Sequence, residues 1–184
     1  MRLFVALPLP APARQEIAGL LERMKSCEWP VRWVRDEGLH LTLKFYGEVA
    51  PERLEVIEES VRFAVAGTGP LALQLDGLGA FPSARHPRVL WVGLDAPPAL
   101  ELLQHRLERG GEEIGFPPEG APFQPHVTLG RLREGHRLPP GGIAGMEGSY
   151  ERVAFVADHV VLYESLLSPD GPRYEPRLSL QLVG

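Results

Sequence analysis

LHLTLKFYGE, residues 39 to 48, and PHVTLGRLRE, residues 125 to 134, carry one strand pattern twice, and this recurrence restricts the fold more than any other feature of the chain. Side chains alternate across a strand, so His40 and Thr42 fall on one face while Leu41 and Leu43 fall on the other. His126 and Thr128 stand in the same way opposite Val127 and Leu129. Six histidines and three threonines placed at random in 184 residues give on the order of 0.1 His-x-Thr matches, so two are not an accident. The motifs lie 86 residues apart in similar surroundings. That spacing predicts two equivalent lobes, each presenting an imidazole and a hydroxyl to a shared polar cleft.

The segments between the motifs supply the remaining elements. A first strand is predicted near residues 2 to 7. APARQEIAGLLERMKS follows, with Ile17, Leu20, Leu21 and Met24 at helical spacing and Pro12 suited to a helix start. Strand-like residues flank a turn at Asp36 to Gly38. A second helix carries Leu54, Ile57, Val61 and Val65 between Pro51 and Gly67. Then come a strand at about 71 to 76, a Pro-containing loop at 79 to 88, and the strand RVLWVGL. A third helix with Leu100, Leu103 and Leu107 on one side is expected to stop at Gly110 and Gly111. FQPHVTLGRL reads as a strand, REGHRLPPGGIAGMEG as a loop, and two or three strands complete the chain. Strand pairs joined by short turns, mixed with three helices, predict α+β architecture with largely antiparallel sheets, residues 1–184 forming a single bilobed domain.

Composition narrows the function. A net charge of −5 excludes a broad basic surface for coating nucleic acid but permits a compact site on one or two phosphates. Basic charge comes from 17 Arg and two Lys, Lys25 and Lys44. One cysteine, Cys27, excludes an internal disulfide and a Cys-based zinc cluster and predicts a cytoplasmic location. MRLFVALPLPAP reads as a strand stopped by prolines rather than a signal peptide, and no apolar run reaches the ~20 residues that cross a bilayer. A soluble protein, with no membrane association and no obligate protein partner, is expected.

Two histidines on opposite sides of a phosphorus can divide the labour of an in-line displacement. One takes a proton from the incoming oxygen while the other gives one to the leaving oxygen. Imidazole suits both tasks, because its ordinary pKa is about 6.5. The two threonine hydroxyls can hydrogen-bond the non-bridging oxygens. A strained cyclic phosphodiester fits best, since ring opening needs proton management more than a strong nucleophile. Metal binding by the pair is disfavoured, because zinc wants three or four ligands at recognisable spacing.

With these motifs the chain resembles the 2H phosphoesterases, which share two His-x-Thr-x motifs, and within them the RNA 2′,3′-cyclic phosphodiesterases formerly called 2′-5′ RNA ligases. The likeness extends to RLFVALPLP, PRVLWVGL and LYESLLSPDGPRYEP. It implies a bilobed fold with two pseudo-symmetric, mainly antiparallel sheets, outer helices and a central cleft. It implies hydrolysis of RNA terminal 2′,3′-cyclic phosphate to a 2′-phosphomonoester, with no metal or other cofactor. It further implies weak reversible 2′-5′ ligation, with RNA ends or nucleoside 2′,3′-cyclic phosphates as substrates; a monomer is expected. By position, His40 would be the proton donor and His126 the proton acceptor, with Thr42 and Thr128 binding the phosphate. Residue geometry alone leaves the two histidine roles interchangeable. The alternative is a non-catalytic module that holds a nucleotide or RNA end.

Further residues are candidates for the same cleft. Strict alternation puts Arg131 opposite His126, so it reaches the phosphate only if a bulge at Gly130 intervenes. Lys44 shares the His40 face if its strand runs on unbroken. Trp33, Tyr46, Phe81 and Phe123 can stack on a base or pack in the core. His86, His105, His136 and His159 lack a partner threonine and receive no catalytic role.

Overall fold

The computed structural model covers residues 1–184. Its strands are β1 (Arg2–Pro8), β2 (Val31–Trp33), β3 (His40–Glu48), β4 (Leu71–Pro82), β5 (Pro87–Asp95), β6 (His126–Leu132), β7 (Ala154–Ala157), β8 (His159–Leu166) and β9 (Arg173–Gln181). Three helices, α1 (Ala11–Lys25), α2 (Leu54–Val65) and α3 (Pro98–Glu113), lie between them. The architecture is the predicted α+β arrangement, and every strand pair is antiparallel.

One half contains β3, β1, β8 and β9 in that order; the other contains β7, β4, β5 and β6. They meet at β3 and β6 through a single ladder pair, Leu41 with Val127, which joins the two half-sheets into one hydrogen-bonded order. β2 extends the same edge of β6 by pairing at Gly130 to Leu132, and the Val34 N–H donates to the Leu129 carbonyl at 2.8 Å. The turn at Asp36–Gly38 therefore interrupts one long partner of β6 instead of closing a hairpin. A single residue, Asp158, links β7 to β8, so the sheet must curl until these distant members of the order come together.

Helical spacing places the buried faces as expected: Ile17, Leu20, Leu21 and Met24 of α1, Ile57, Val61 and Val65 of α2, and Leu100, Leu103 and Leu107 of α3. They join Leu41, Leu43, Val127 and Leu129 in one core of 39 buried residues. The helices thus cover the face of the sheet opposite the histidines. α1 follows β1 yet packs on β7 of the other half, whereas α3 follows β5 and packs on β3. Each half lends its helix to its counterpart, which ties the lobes together.

Two expectations need correction. The predicted loop at 79 to 88 is mostly strand. A bulge at Asp76–Gly77, with Gly77 at φ 84°, shifts the register of β4, which then pairs with β5 as far as Pro82. β7 covers β4 only from Leu71 to Gln74, so Pro82 lies where one side of the strand is free and its missing N–H costs nothing. The third helix does not stop at Gly110 and Gly111 but continues through Glu113. The glycines serve packing there. A Cβ on Gly111 would lie 2.2 Å from Lys44 Cε, and one on Gly110 would lie 2.7 Å from Ser60 Oγ.

Candidate active site

The pairing of Leu41 with Val127 fixes the relation of the two motifs. In an antiparallel ladder the positions on either side of such a pair also oppose each other, so His40 lies across from Thr128 and Thr42 across from His126. Leu41 and Val127 are fully buried on the core side. Alternation then sends all four motif side chains to the other face, around a local two-fold axis.

A bulge follows each motif at the same place. β3 pairs Ala6 with Thr42 but Val5 with Lys44, and β5 pairs Trp91 with Thr128 but Leu90 with Gly130. Leu43 and Lys44 therefore both turn inward, as do Leu129 and Gly130. The bulge restores the residue beyond it to the histidine face. Arg131 lies on the same side as His126 for this reason, and its charge acts on His126 and on the Tyr174 phenol. Its counterpart in the first motif is Phe45, which is 48% exposed.

Lys44 leaves the His40 face by the same shift, contrary to expectation from an unbroken strand. It is 1% exposed and its Nζ donates to Glu108 Oε2 at 2.6 Å. Gln104 Nε2 donates to the other Glu108 oxygen at 3.2 Å. Gly111 supplies the space that this lysine needs. The first motif is thus backed by a buried ion pair, whereas the second is backed by Gly130, over which β2 runs closely. A Cβ on Gly130 would lie 2.6 Å from Val31 Cγ1 and 3.0 Å from the Arg32 carbonyl oxygen.

The histidines sit in different aromatic settings. His40 stacks on Phe4 at 4.9 Å and meets the edge of Tyr174 at 5.3 Å, with Tyr163 at 6.3 Å. His126 meets Phe81 edge-on at 4.9 Å and Trp91 at 6.1 Å. Desolvation lowers His40 from 6.5 to about 4, and the charge of His126 adds to that drop. His126 is lowered too, by desolvation, but its Nδ1 lies 2.6 Å from the Gln124 carbonyl, and this contact favours the protonated ring and limits the drop. A proton on Nδ1 donates to that carbonyl and leaves the Nε2 lone pair free. The two rings are electrostatically coupled, a proton on His126 opposing one on His40.

Of the four aromatic residues that could have stacked on a base, only Phe81 borders a motif histidine. Tyr46 is buried with its hydroxyl unpartnered, against Phe116, and burial with the nearby Glu108 pushes its phenol up. Trp33 stacks on Trp29 at 6.3 Å, and Phe123 lines a hollow of about 460 Å³ at the start of α3, which contains no motif residue. Phe4, Phe45, Trp91, Tyr163 and Tyr174 were not identified from the sequence. The two tyrosines come from β8 and β9, far from either motif in the chain, and only the strand order brings them to His40. The bulges had a readable signal. Apolar anchors recur at 41, 43 and 46 and at 127, 129 and 132, so the period of two breaks once in each strand.

His86, His105 and His136 are exposed, and His159 lies 2.6 Å from Asp158. No three His, Cys, Asp or Glu side chains gather into a group. No helix is long and apolar enough to cross a membrane.

Two His-Thr strands thus meet across one ladder pair and bring both motifs to one face of the sheet. The LigT-like phosphoesterase pattern matches residues 7–91 and again residues 92–174, so that one His-x-Thr motif falls in each match, and the chain belongs to that family. It is 33% identical over 175 residues to the RNA 2′,3′-cyclic phosphodiesterase of Methanothermobacter thermautotrophicus, covering 95% of each chain. Among solved structures, it resembles TT0787 of Thermus thermophilus with a TM-score of 0.84, 28% identity and coverage of 99% and 98%. E. coli LigT complexed with 3′-AMP aligns with a TM-score of 0.74, 28% identity and coverage of 100% and 98%.

Proposed function

We propose that this chain hydrolyses RNA terminal 2′,3′-cyclic phosphate to a 2′-phosphomonoester, with residues 1–184 acting as one bilobed catalytic unit. The observation that carries this reading is the register at Leu41 and Val127, which turns both histidines and both threonines toward one space. Relatives named RNA 2′,3′-cyclic phosphodiesterase, aligned over nearly the whole chain, supply the substrate class.

In the proposed reaction the phosphate bridges the two lobes. Water attacks phosphorus and gives its proton to Nε2 of His126, whose Nδ1–H is held by the Gln124 carbonyl. The P–O3′ bond breaks in line, and the departing oxygen takes a proton from the His40 imidazolium. Thr42 and Thr128 donate to the non-bridging oxygens, where charge is held in the transition state. Arg131 adds positive potential on the His126 side. The histidines end in exchanged protonation states and reset through solvent.

His40 is neutral in the empty site at pH 7, and the substrate corrects this. The anionic diester favours an imidazolium beside it and raises the His40 pKa when it binds. With a ribose 5′-hydroxyl in place of water, the same proton transfers run as a weak reversible 2′-5′ ligation. The single, exposed Cys27 is in keeping with a reducing, cytoplasmic setting.

The test is incubation with a nucleoside 2′,3′-cyclic phosphate in the presence of chelator, followed by product separation. Formation of the 2′-monophosphate supports the proposal. Recovery of bound but unconverted cyclic phosphate assigns the chain to a binding module instead.

A further inference from the structure

We infer that Gln104, Glu108 and Lys44 form a positioning clamp on the bulge of the first motif strand, which aims the Thr42 hydroxyl at the phosphate held between the two histidines. This deepens the cyclic-phosphodiesterase proposal and rests on it.

Thr42 is the last residue of β3 on the cleft face before the strand steps out of register. The bulge leaves Leu43 without a partner on β1, and β6 pairs with β3 at Leu41 alone. Beyond Leu41, therefore, no strand sets the path of β3 on its β6 side. A bulge bends its strand and re-aims the side chains beside it, so the direction of Thr42 depends on what fixes the bulge.

In the second motif strand the backbone does the fixing. β2 pairs with β6 from Gly130 to Leu132, and the Val34 N–H donates to the Leu129 carbonyl at 2.8 Å. Side chains of α3 do for β3 what β2 does for β6. Gln104 Nε2 donates to the carbonyl of Leu43, the counterpart of Leu129, at 3.4 Å and to Glu108 Oε1 at 3.2 Å. Glu108 Oε2 accepts from Lys44 Nζ at 2.6 Å. Gln104, Glu108 and Gly111 recur at helical spacing, so one stripe of α3 meets both bulge residues. The Lys44 ammonium also donates to the Pro117 carbonyl at 3.4 Å, on the segment that runs from α3 to His126.

Stability alone does not account for this set. Apolar side chains of similar volume often replace a buried ion pair with no loss of stability. They would not hold a carbonyl and an ammonium at fixed points on a bulge. The choice of cation agrees with a fitted site. The chain has 17 Arg and two Lys, yet the position that is 1% exposed carries a lysine. Its compact ammonium, unlike a planar guanidinium fork, suits the narrow space left over Gly111.

The experiment combines Lys44→Met and Glu108→Leu, an apolar pair, with Thr42→Val and separately with Thr128→Val. Turnover of a nucleoside 2′,3′-cyclic phosphate gives kcat and KM for each, and a urea melt confirms folding. By itself the apolar pair is expected to lower kcat about tenfold and change KM less than about twofold, because the threonine contact tightens in the transition state. In Thr42→Val the pair should add less than about twofold, since an absent hydroxyl cannot be misaimed; in Thr128→Val the loss of about tenfold should persist. Gln104→Leu, which keeps the ion pair, should show the same pattern at about threefold, and it carries the test if the apolar pair does not fold. A general loosening of the fold would multiply with both threonine variants alike. That result, or wild-type kcat in the folded clamp variants, would overturn the inference. Failure of wild type to release a monophosphate would instead overturn the cyclic-phosphodiesterase proposal, and this one with it.

Discussion

Leu41 and Val127 form the sole ladder pair between β3 and β6, and each is the middle residue of a His-x-Thr motif. The local symmetry axis therefore passes between two buried apolar side chains, while the polar residues on either side are carried to the opposite face. Fully burying such side chains stabilises by about 1.5–3 kcal/mol each, so the core holds this register from behind.

Loss of either motif histidine should be severe. His40→Ala and His126→Ala are each expected to lower kcat by about 10²-fold or more. A nitrophenyl phosphodiester separates their roles, because nitrophenolate leaves without a proton. His40→Ala should recover most of its deficit on that substrate and His126→Ala little of it. The reverse pattern would exchange the acid and base assignments.

The pH dependence follows from two lowered imidazoles. kcat/KM reports the free enzyme, so the limb on which the acid loses its proton should fall below the ordinary 6.5. The kcat profile reports the complex, where the bound anion raises His40, and its alkaline limb should lie at higher pH. Coincident limbs would show that the substrate charge does not act on His40.

His40 also links stability to pH. Its folded pKa, about 4, is depressed from 6.5, so the unfolded chain binds more protons between these values. The contribution is fully present above pH 6.5 and is lost as pH falls toward 4, by up to about 3 kcal/mol. Urea melts of wild type and His40→Phe across this range check it. The stability difference should change in favour of the variant as the solution is acidified, and a constant difference would contradict it.

Lys44 and Glu108 are coupled inside the core. Lys44→Met or Glu108→Gln alone leaves a buried charge without its partner and should destabilise by about 3–5 kcal/mol. Lys44→Met combined with Glu108→Leu should recover much of that loss, measured by denaturant unfolding. Simple addition of the single losses would mean that the ion pair contributes no coupling.

The His-x-Thr strands, the amphipathic helices and the antiparallel class were legible because each depends on local periodicity. The bulges were only partly legible. Lys44 reads as a polar residue on a polar face until Tyr46 is recognised as core, and its partner Glu108 lies 64 residues away on a helix lent by the other half. Gly110 and Gly111 imitate a helix stop, although their missing side chains are needed for Ser60 and Lys44. Tyr163 and Tyr174 carry no local mark of a cleft, because their places beside His40 come from strand order alone.

Histidine ring NMR during titration with a nucleoside 2′-monophosphate tests most directly whether one phosphate engages both imidazoles. The ring signals of His40 and His126 should move together with a single Kd at one-to-one stoichiometry, and both pKa values should rise in the complex. Movement of only one ring, or two separate binding curves, would contradict the two-histidine site.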